Sequence, residues 1–208
     1  MKEEEQLLYV RRLKAAGIQE RHLQDWTFAS ATDTPSVQMA KRYTENWKKV
    51  KAENLGLLLW GDVGTGKSFL AACIANALLE KRCSCLMTNF SKILNQMGAM
   101  YSDERYRYIA SFNRFSLLII DDLGIERNTE YALEQVYAVV DERYKAGLPL
   151  IITTNLTISQ LRNPEDVAHA RIYSRILEMC TPVHVPGLDR RTAIGKSKQE
   201  LVKEVLFS

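Results

Sequence analysis

The sequence predicts an α/β fold, a parallel sheet with helices on both faces, and three observations carry that expectation. Apolar runs of strand length (LGLLLWG, SLLIIDD, LPLIITTN) recur along the chain. Stretches with the length and composition of helices separate them, and strands separated by helices pair in parallel. The first of these runs passes directly into GDVGTGKS, a glycine-rich turn that opens a helix.

The totals fit one sizeable domain. With 208 residues, 46% hydrophobic and 25% charged, the chain can bury a core and does not have the composition of a disordered one. A net charge of +3 permits nucleic-acid contact without arguing for it. The start, MKEEEQLLYVRRLK, lacks the apolar stretch and cleavage site of a secretory signal, and no run approaches the ~20 apolar residues of a membrane helix. A cytoplasmic location and no membrane partner are expected. Cys73, Cys83, Cys85 and Cys180 lack paired C-x-x-C spacing and read as buried free thiols, Cys83 and Cys85 on one face of a strand. His22, His169 and His184 are scattered, with no metal-ligand spacing.

Taken in order, residues 5–16 fit a short amphipathic helix stopped by Gly17. After a loop containing DWTF, Pro35 fits the start of a helix to about Val50. The strand at 55–61 enters the glycine-rich turn, and 68–81 is a mostly buried helix. CSCLMT (83–88) is the second strand, followed by a helix over 91–100 and a charged, aromatic stretch over 102–115. Residues 116–122 form a buried strand ending in two acids, and 129–147 a helix stopped by Gly147. The fourth strand covers 148–155, a helix 170–180, and a short fifth strand 183–185. The chain divides into an N-terminal helical segment and linker (1–50), a core (51–191) and a tail (192–208).

Gly61, Gly66, Lys67 and Ser68 satisfy G-x-x-x-x-G-K-[ST], the phosphate-binding loop. Its glycines let successive N–H groups and the helix N-terminus face phosphate oxygens. Gly61, Asp62, Val63, Gly64, Thr65, Gly66, Lys67, Ser68 and Phe69 are therefore the candidate ATP/ADP contacts. Lys67 would neutralise the β- and γ-phosphates, and the Ser68 hydroxyl would bind Mg²⁺. Asp121 and Asp122 end a buried strand, where two carboxylates repel unless a cation joins them. Asp121 is the candidate metal holder through water, and Asp122 the group that polarises the attacking water. Asn155, at the end of LIITTN, could orient that water, or could close a turn.

LLLWGDVGTGKSFLAACIANALL, LLIIDDLG, LIITTN and RIYSRI, in this order, resemble the AAA+ ATPase module of bacterial replicative helicase loaders of the DnaC and DnaI type. The resemblance runs from about Ile18 to Arg191. The chain is also similar to IstB-type helper ATPases of transposition. The resemblance implies a P-loop NTPase of three layers with a five-stranded parallel sheet and a minimal or absent lid. It makes Asp121 and Asp122 the Walker B acids, Asn155 the sensor 1 residue and Arg175 an arginine finger serving a neighbouring subunit. Arg191 matches the sensor 2 arginine, with Arg190 its competitor. Near the base it implies the stretch from Ile18 to Phe28, where Trp26 and Phe28 could supply an apolar wall but read rather as core anchors of the N-terminal segment.

The resemblance also implies a replicative helicase and single-stranded DNA as partners, and ATP-dependent self-association. The roughly 50 residues before the first core strand are too few for a separate helicase-gripping domain with its linker. Candidate DNA contacts are Lys92, Arg105, Arg107 and Arg114 among Phe90, Tyr101, Tyr106 and Tyr108, cations for phosphates and rings for bases, or else a solvated helix with its rings in the core. The expected activity is Mg²⁺-dependent ATP hydrolysis, slow in a lone subunit because a finger supplied in trans contributes roughly 10³ to 10⁵ in rate. A transposase helper acting on duplex DNA and a small-molecule kinase are the alternatives.

Overall fold

The computed structural model describes residues 2–124, 129–187, 189 and 199–206. In chain order the elements are α1 (Lys2–Gly17), α2 (Arg21–Gln24), α3 (Pro35–Glu45), α4 (Trp47–Ala52), β1 (Gly56–Trp60), α5 (Lys67–Glu80), β2 (Cys85–Asn89), α6 (Phe90–Met97), α7 (Ser102–Ser111), β3 (Leu117–Leu123), α8 (Glu130–Lys145), β4 (Leu150–Thr154), α9 (Ile158–Arg162), α10 (Val167–Met179) and β5 (Cys180–His184). Among the described residues the strands form one five-stranded parallel sheet in the order β2-β3-β4-β1-β5.

Alternation along the strands splits the core into two layers, because successive side chains point to opposite faces. Leu58, Ile120 and Ile152 face the layer built with α6, α8 and α10, where Phe90, Ile93, Val136, Ile172 and Ile176 are buried. Leu57, Leu59, Ile119 and Ile151 face α5 and the N-terminal segment, including Ile18, Val37 and Trp47. Ile18 also bridges to Met87 at the open edge of β2.

Local chemistry sets the boundaries. Thr34 caps α3 by accepting from Val37 N–H, with Pro35 in the first turn. The helix expected to run through Val50 breaks at Asn46, whose side-chain amide donates to the Arg42 carbonyl at 2.9 Å and competes with the helical ladder. Thr129 and Asp166 cap α8 and α10 in the same manner as Thr34. The α9 turn was not expected from sequence; it is set by a Thr157/Gln160 capping box. Cys83 lies before β2 rather than in it and is half-buried, while Cys73, Cys85 and Cys180 are buried, and all four are free thiols.

At the amino edge of the sheet Arg143 is 1% exposed and is held by backbone alone. Its guanidinium donates to the carbonyls of Pro149 (2.7 Å), Phe115 (2.9 Å), Ser116 (3.1 Å) and Phe112 (3.4 Å), tying α8 to the entries of β3 and β4. Burial pushes its pKa down to about 10.

Candidate functional site

At the opposite, carboxyl edge, β1 runs out at Trp60 and the chain turns through GDVGTGKS into α5. Gly64 (φ +79°) and Gly66 (φ +98°) hold left-handed backbone that side-chain-bearing residues rarely adopt, which is why glycine stands at both. Thr65 Oγ1 donates to the Asp62 carbonyl at 3.1 Å. Lys67 is buried, and its ammonium donates to the carbonyls of Gly61 (3.0 Å) and Asp62 (2.7 Å), so its charge lies along the loop. Asp62 and Val63 are exposed at the tip.

The chain leaving β5 crosses this loop. A Cβ on Gly187 would come within 3.5 Å of the Thr65 carbonyl, and one on Gly64 within 1.9 Å of Asp189 Oδ1, so the Asp189 carboxylate rests directly on Gly64. Beside the loop, Thr34, Ser36, Val37, Phe69, Val185 and Pro186 line a narrow crevice. Trp26 meets the ring of Phe69 at 5.6 Å, and both Trp26 and Phe28 pack on the α5-side core. The crevice beside the loop is thus formed by the start of α3 rather than by Trp26 and Phe28.

The acids come from β3, whose register against β4 shifts between Ile120 and Leu123. Asp122 lies in this irregularity with φ +57°. Thr153, fully buried on β4, joins the two acids: its Oγ1 donates to Asp121 Oδ1 at 2.6 Å and accepts from Asp122 N–H at 2.9 Å. Burial raises the Asp121 pKa above the usual carboxylate value and the neighbouring Asp122 charge adds to this, while hydrogen bonds from Thr153 and Ser68 pull it down. Ser68 and Asp121, far apart in sequence, therefore stand together. A hydroxyl hydrogen-bonded to a carboxylate is an oxygen donor pair suited to a hard divalent cation such as Mg²⁺. Among the described residues no group of three or more His, Cys, Asp or Glu side chains forms a separate metal cage.

Asn155 follows the end of β4 in an exposed bend, and its side chain makes no hydrogen bond to either acid. The polar residue of β4 that touches the acids is Thr153. Sequence reading missed it because threonine in an apolar strand reads as an ordinary β-former. Asp189 and the Glu20–Lys92 ion pair beside Asp121 were likewise missed. Arg190 and Arg191 lie outside the described residues.

Arg175 is engaged on the seam between α8 and α10. Its guanidinium meets Asp141 at 2.8 Å as an ion pair without hydrogen-bond alignment, donates to the Tyr137 hydroxyl at 3.1 Å and lies 4.6 Å from the Tyr144 ring centre. Of the expected DNA contacts, Phe90 is a correction: it is 2% exposed and belongs to the core. Lys92 pairs with Glu20, Tyr108 bonds Gln96, and Arg105 is folded onto Tyr131 and the Met100 carbonyl. Tyr101, Tyr106, Arg107 and Arg114 are exposed, which a contact surface and a solvated helix would both show. His22, His169 and His184 each contact an aromatic ring, Trp26, Tyr173 and Trp60 respectively.

A phosphate loop between an inner parallel strand and a helix, faced by an acidic strand tip at the same sheet edge, defines a P-loop nucleotide-binding protein of the AAA+ type. More narrowly, the chain belongs to the family described as IstB-like ATP binding protein, whose pattern matches residues 2–196. It is 29% identical over 162 residues to the replicative helicase loader DnaI of Bacillus subtilis (strain 168), covering 73% of this chain and 50% of that protein, so the chain spans about half its length. The fold matches the crystal structure of the DnaC helicase loader at TM-score 0.66 with 22% identity, over 80% of this chain and 100% of that one. It also matches replication initiator DnaA bound to AMPPCP and single-stranded DNA at TM-score 0.62 with 17% identity, over 86% of this chain and 55% of that one. Among the described residues no helix is long and apolar enough to cross a membrane.

Proposed function

We propose that this chain is an ATP-hydrolysing assembly factor of DNA replication that binds single-stranded DNA and assists loading of a replicative helicase. The observation that carries the ATPase half is the meeting of Ser68 with Asp121, the first of the two strand-end acids, at the mouth of the phosphate loop. In this reading the loop N–H groups and Lys67 hold the phosphates of ATP, and the crevice lined by Thr34, Val37 and Val185 receives the base. Ser68 and Asp121 hold Mg²⁺, which when bound neutralises charge developing on the phosphates. Asp122 accepts a proton from the attacking water, and Asn155 helps to orient that water. Arg175 serves a neighbouring copy after leaving its seam, and Arg191 completes the site from the same chain. The core that does this work spans 51–191, preceded by a helical segment at 1–50 and followed by a tail at 192–208.

The partner half rests on similarity to a helicase loader and on the exposed Tyr101, Tyr106 and Arg107 of the α7 region, which suit single-stranded nucleic acid. The family match favours a second reading, a helper of a DNA transposase acting on duplex DNA. It gives no support to the kinase reading. Binding of the chain to fluorescent single-stranded and duplex oligonucleotides with ATP and Mg²⁺, against Lys67→Ala, separates the two. Single-strand preference lost in Lys67→Ala supports the loader. Duplex preference selects the transposition helper, and ATP-independent binding or none removes both.

A further inference from the structure

The hydroxyl of Thr153 has one proton and lone pairs to accept with, and its surroundings fix how each is used. Asp122 N–H can only donate, so the hydroxyl accepts from it; the single proton is then committed to Asp121 Oδ1, at the short distance of a charge-assisted bond. One buried side chain thereby sets the rotamer of the first acid and the backbone of the second, which holds a left-handed conformation at the sheet irregularity. Ser68 hydrogen-bonds the same carboxylate, so Asp121 is fixed by Thr153 from β4 while it faces the phosphate loop through Ser68.

We propose that Thr153 is the positioning residue of the nucleotide site, its hydroxyl aligning Asp121 for the metal and Asp122 for the water through two simultaneous hydrogen bonds. This rests on the reading of those acids given above. Asn155, two residues on, is exposed and makes no hydrogen bond to them, so the β4 side chain that reaches both acids is Thr153. A valine at 153 keeps the shape and β-propensity but has neither proton nor lone pair. A serine keeps both.

The test uses the full chain and a fluorescent ATP analogue, with Mg²⁺ titrated into the nucleotide complex. Residues that orient metal ligands change metal affinity or activity by about 10- to 100-fold when removed. Thr153→Val is accordingly expected to raise the Mg²⁺ concentration for half-maximal effect by at least about tenfold and to lower kcat similarly, with Mg²⁺-free nucleotide affinity unchanged because the loop and Lys67 are untouched. Thr153→Ser should stay within about threefold of the parent on both readouts, below that range. Should Thr153→Val not fold, Thr153→Ala carries the same expectation. Asp121→Asn is run in parallel. If it loses the Mg²⁺ response while Thr153→Val keeps it, the positioning role alone is overturned. If Asp121→Asn keeps the response, the metal-site reading falls and the role of Thr153 with it. Equal losses in the serine and valine variants would assign the effect to packing and also overturn the proposal.

Discussion

At the amino edge of the sheet Arg143 meets four backbone carbonyls and no carboxylate, whereas at the carboxyl edge Asp121 and Asp122 stand side by side and share one threonine. Both are buried or half-buried polar clusters, and they differ in what is satisfied. The guanidinium's donors all meet backbone carbonyls, so the cluster closes on itself. The acidic pair is left with like charges together, burial raising the Asp121 pKa, and a left-handed non-glycine backbone at Asp122. A closed polar cluster stabilises, whereas an open one holds strain and unmatched charge that a ligand can relieve. On that comparison, substitutions at the amino edge should act on stability, and those at the carboxyl edge on nucleotide and metal.

The largest expected effect on stability comes from Arg143→Met, which keeps much of the volume and removes every donor. Carbonyls deprived of a donor in the interior typically make such a change cost about 3 kcal/mol or more, roughly 6 to 12 °C in melting temperature for a chain of this size. At temperatures where the variant is folded, nucleotide affinity should match the parent. A calorimetric scan with a binding titration checks both halves, and an unshifted melt would show that the carbonyl cluster does not stabilise the edge.

Gly64→Ala should have an intermediate effect. A side chain at φ +79° costs about 1–2 kcal/mol, and the new Cβ would strike the Asp189 carboxylate unless that side chain swings away. Combining it with Asp189→Ala should restore the part due to the clash and leave the backbone part. Melting curves for the two single variants and the double variant measure the split. Full recovery in the double variant would mean that the left-handed backbone at 64 carries no strain.

The fold was largely legible because its inner strands β1, β3 and β4, buried on both faces, read as continuous apolar runs, and because a strand and a helix frame the phosphate loop. The break at Asn46 was not, since 35–50 has helical composition throughout and one side-chain amide decides the outcome. The phosphate loop and the two acids could be read as a motif and a strand end. Thr153 could not, because its meaning depends on register: Ile119 pairs with Ile151, and two residues on, along one face, Asp121 meets Thr153. Asp189 was hidden for a related reason, since only the crossing of the chain after β5 brings it to Gly64.

Arg175 offers the smallest expected change in stability and the sharpest test of the comparison, because it is a second arginine held by very different partners. Asp141, the Tyr137 hydroxyl and the Tyr144 ring hold it on a seam where its side chain is 27% exposed. A partly exposed ion pair contributes about 0.2–1 kcal/mol and a ring contact of this kind about 0.5–1 kcal/mol, so release from the seam is inexpensive beside the roughly 10³- to 10⁵-fold that a finger in trans contributes to rate. Arg175→Ala should therefore melt within a few degrees of the parent, bind nucleotide normally and lose the turnover that rises with protein concentration. Turnover measured across a concentration series, with the melt as control, decides the matter. A large drop in melting temperature with turnover intact would make Arg175 a structural arginine like Arg143 and remove the finger from the proposed mechanism.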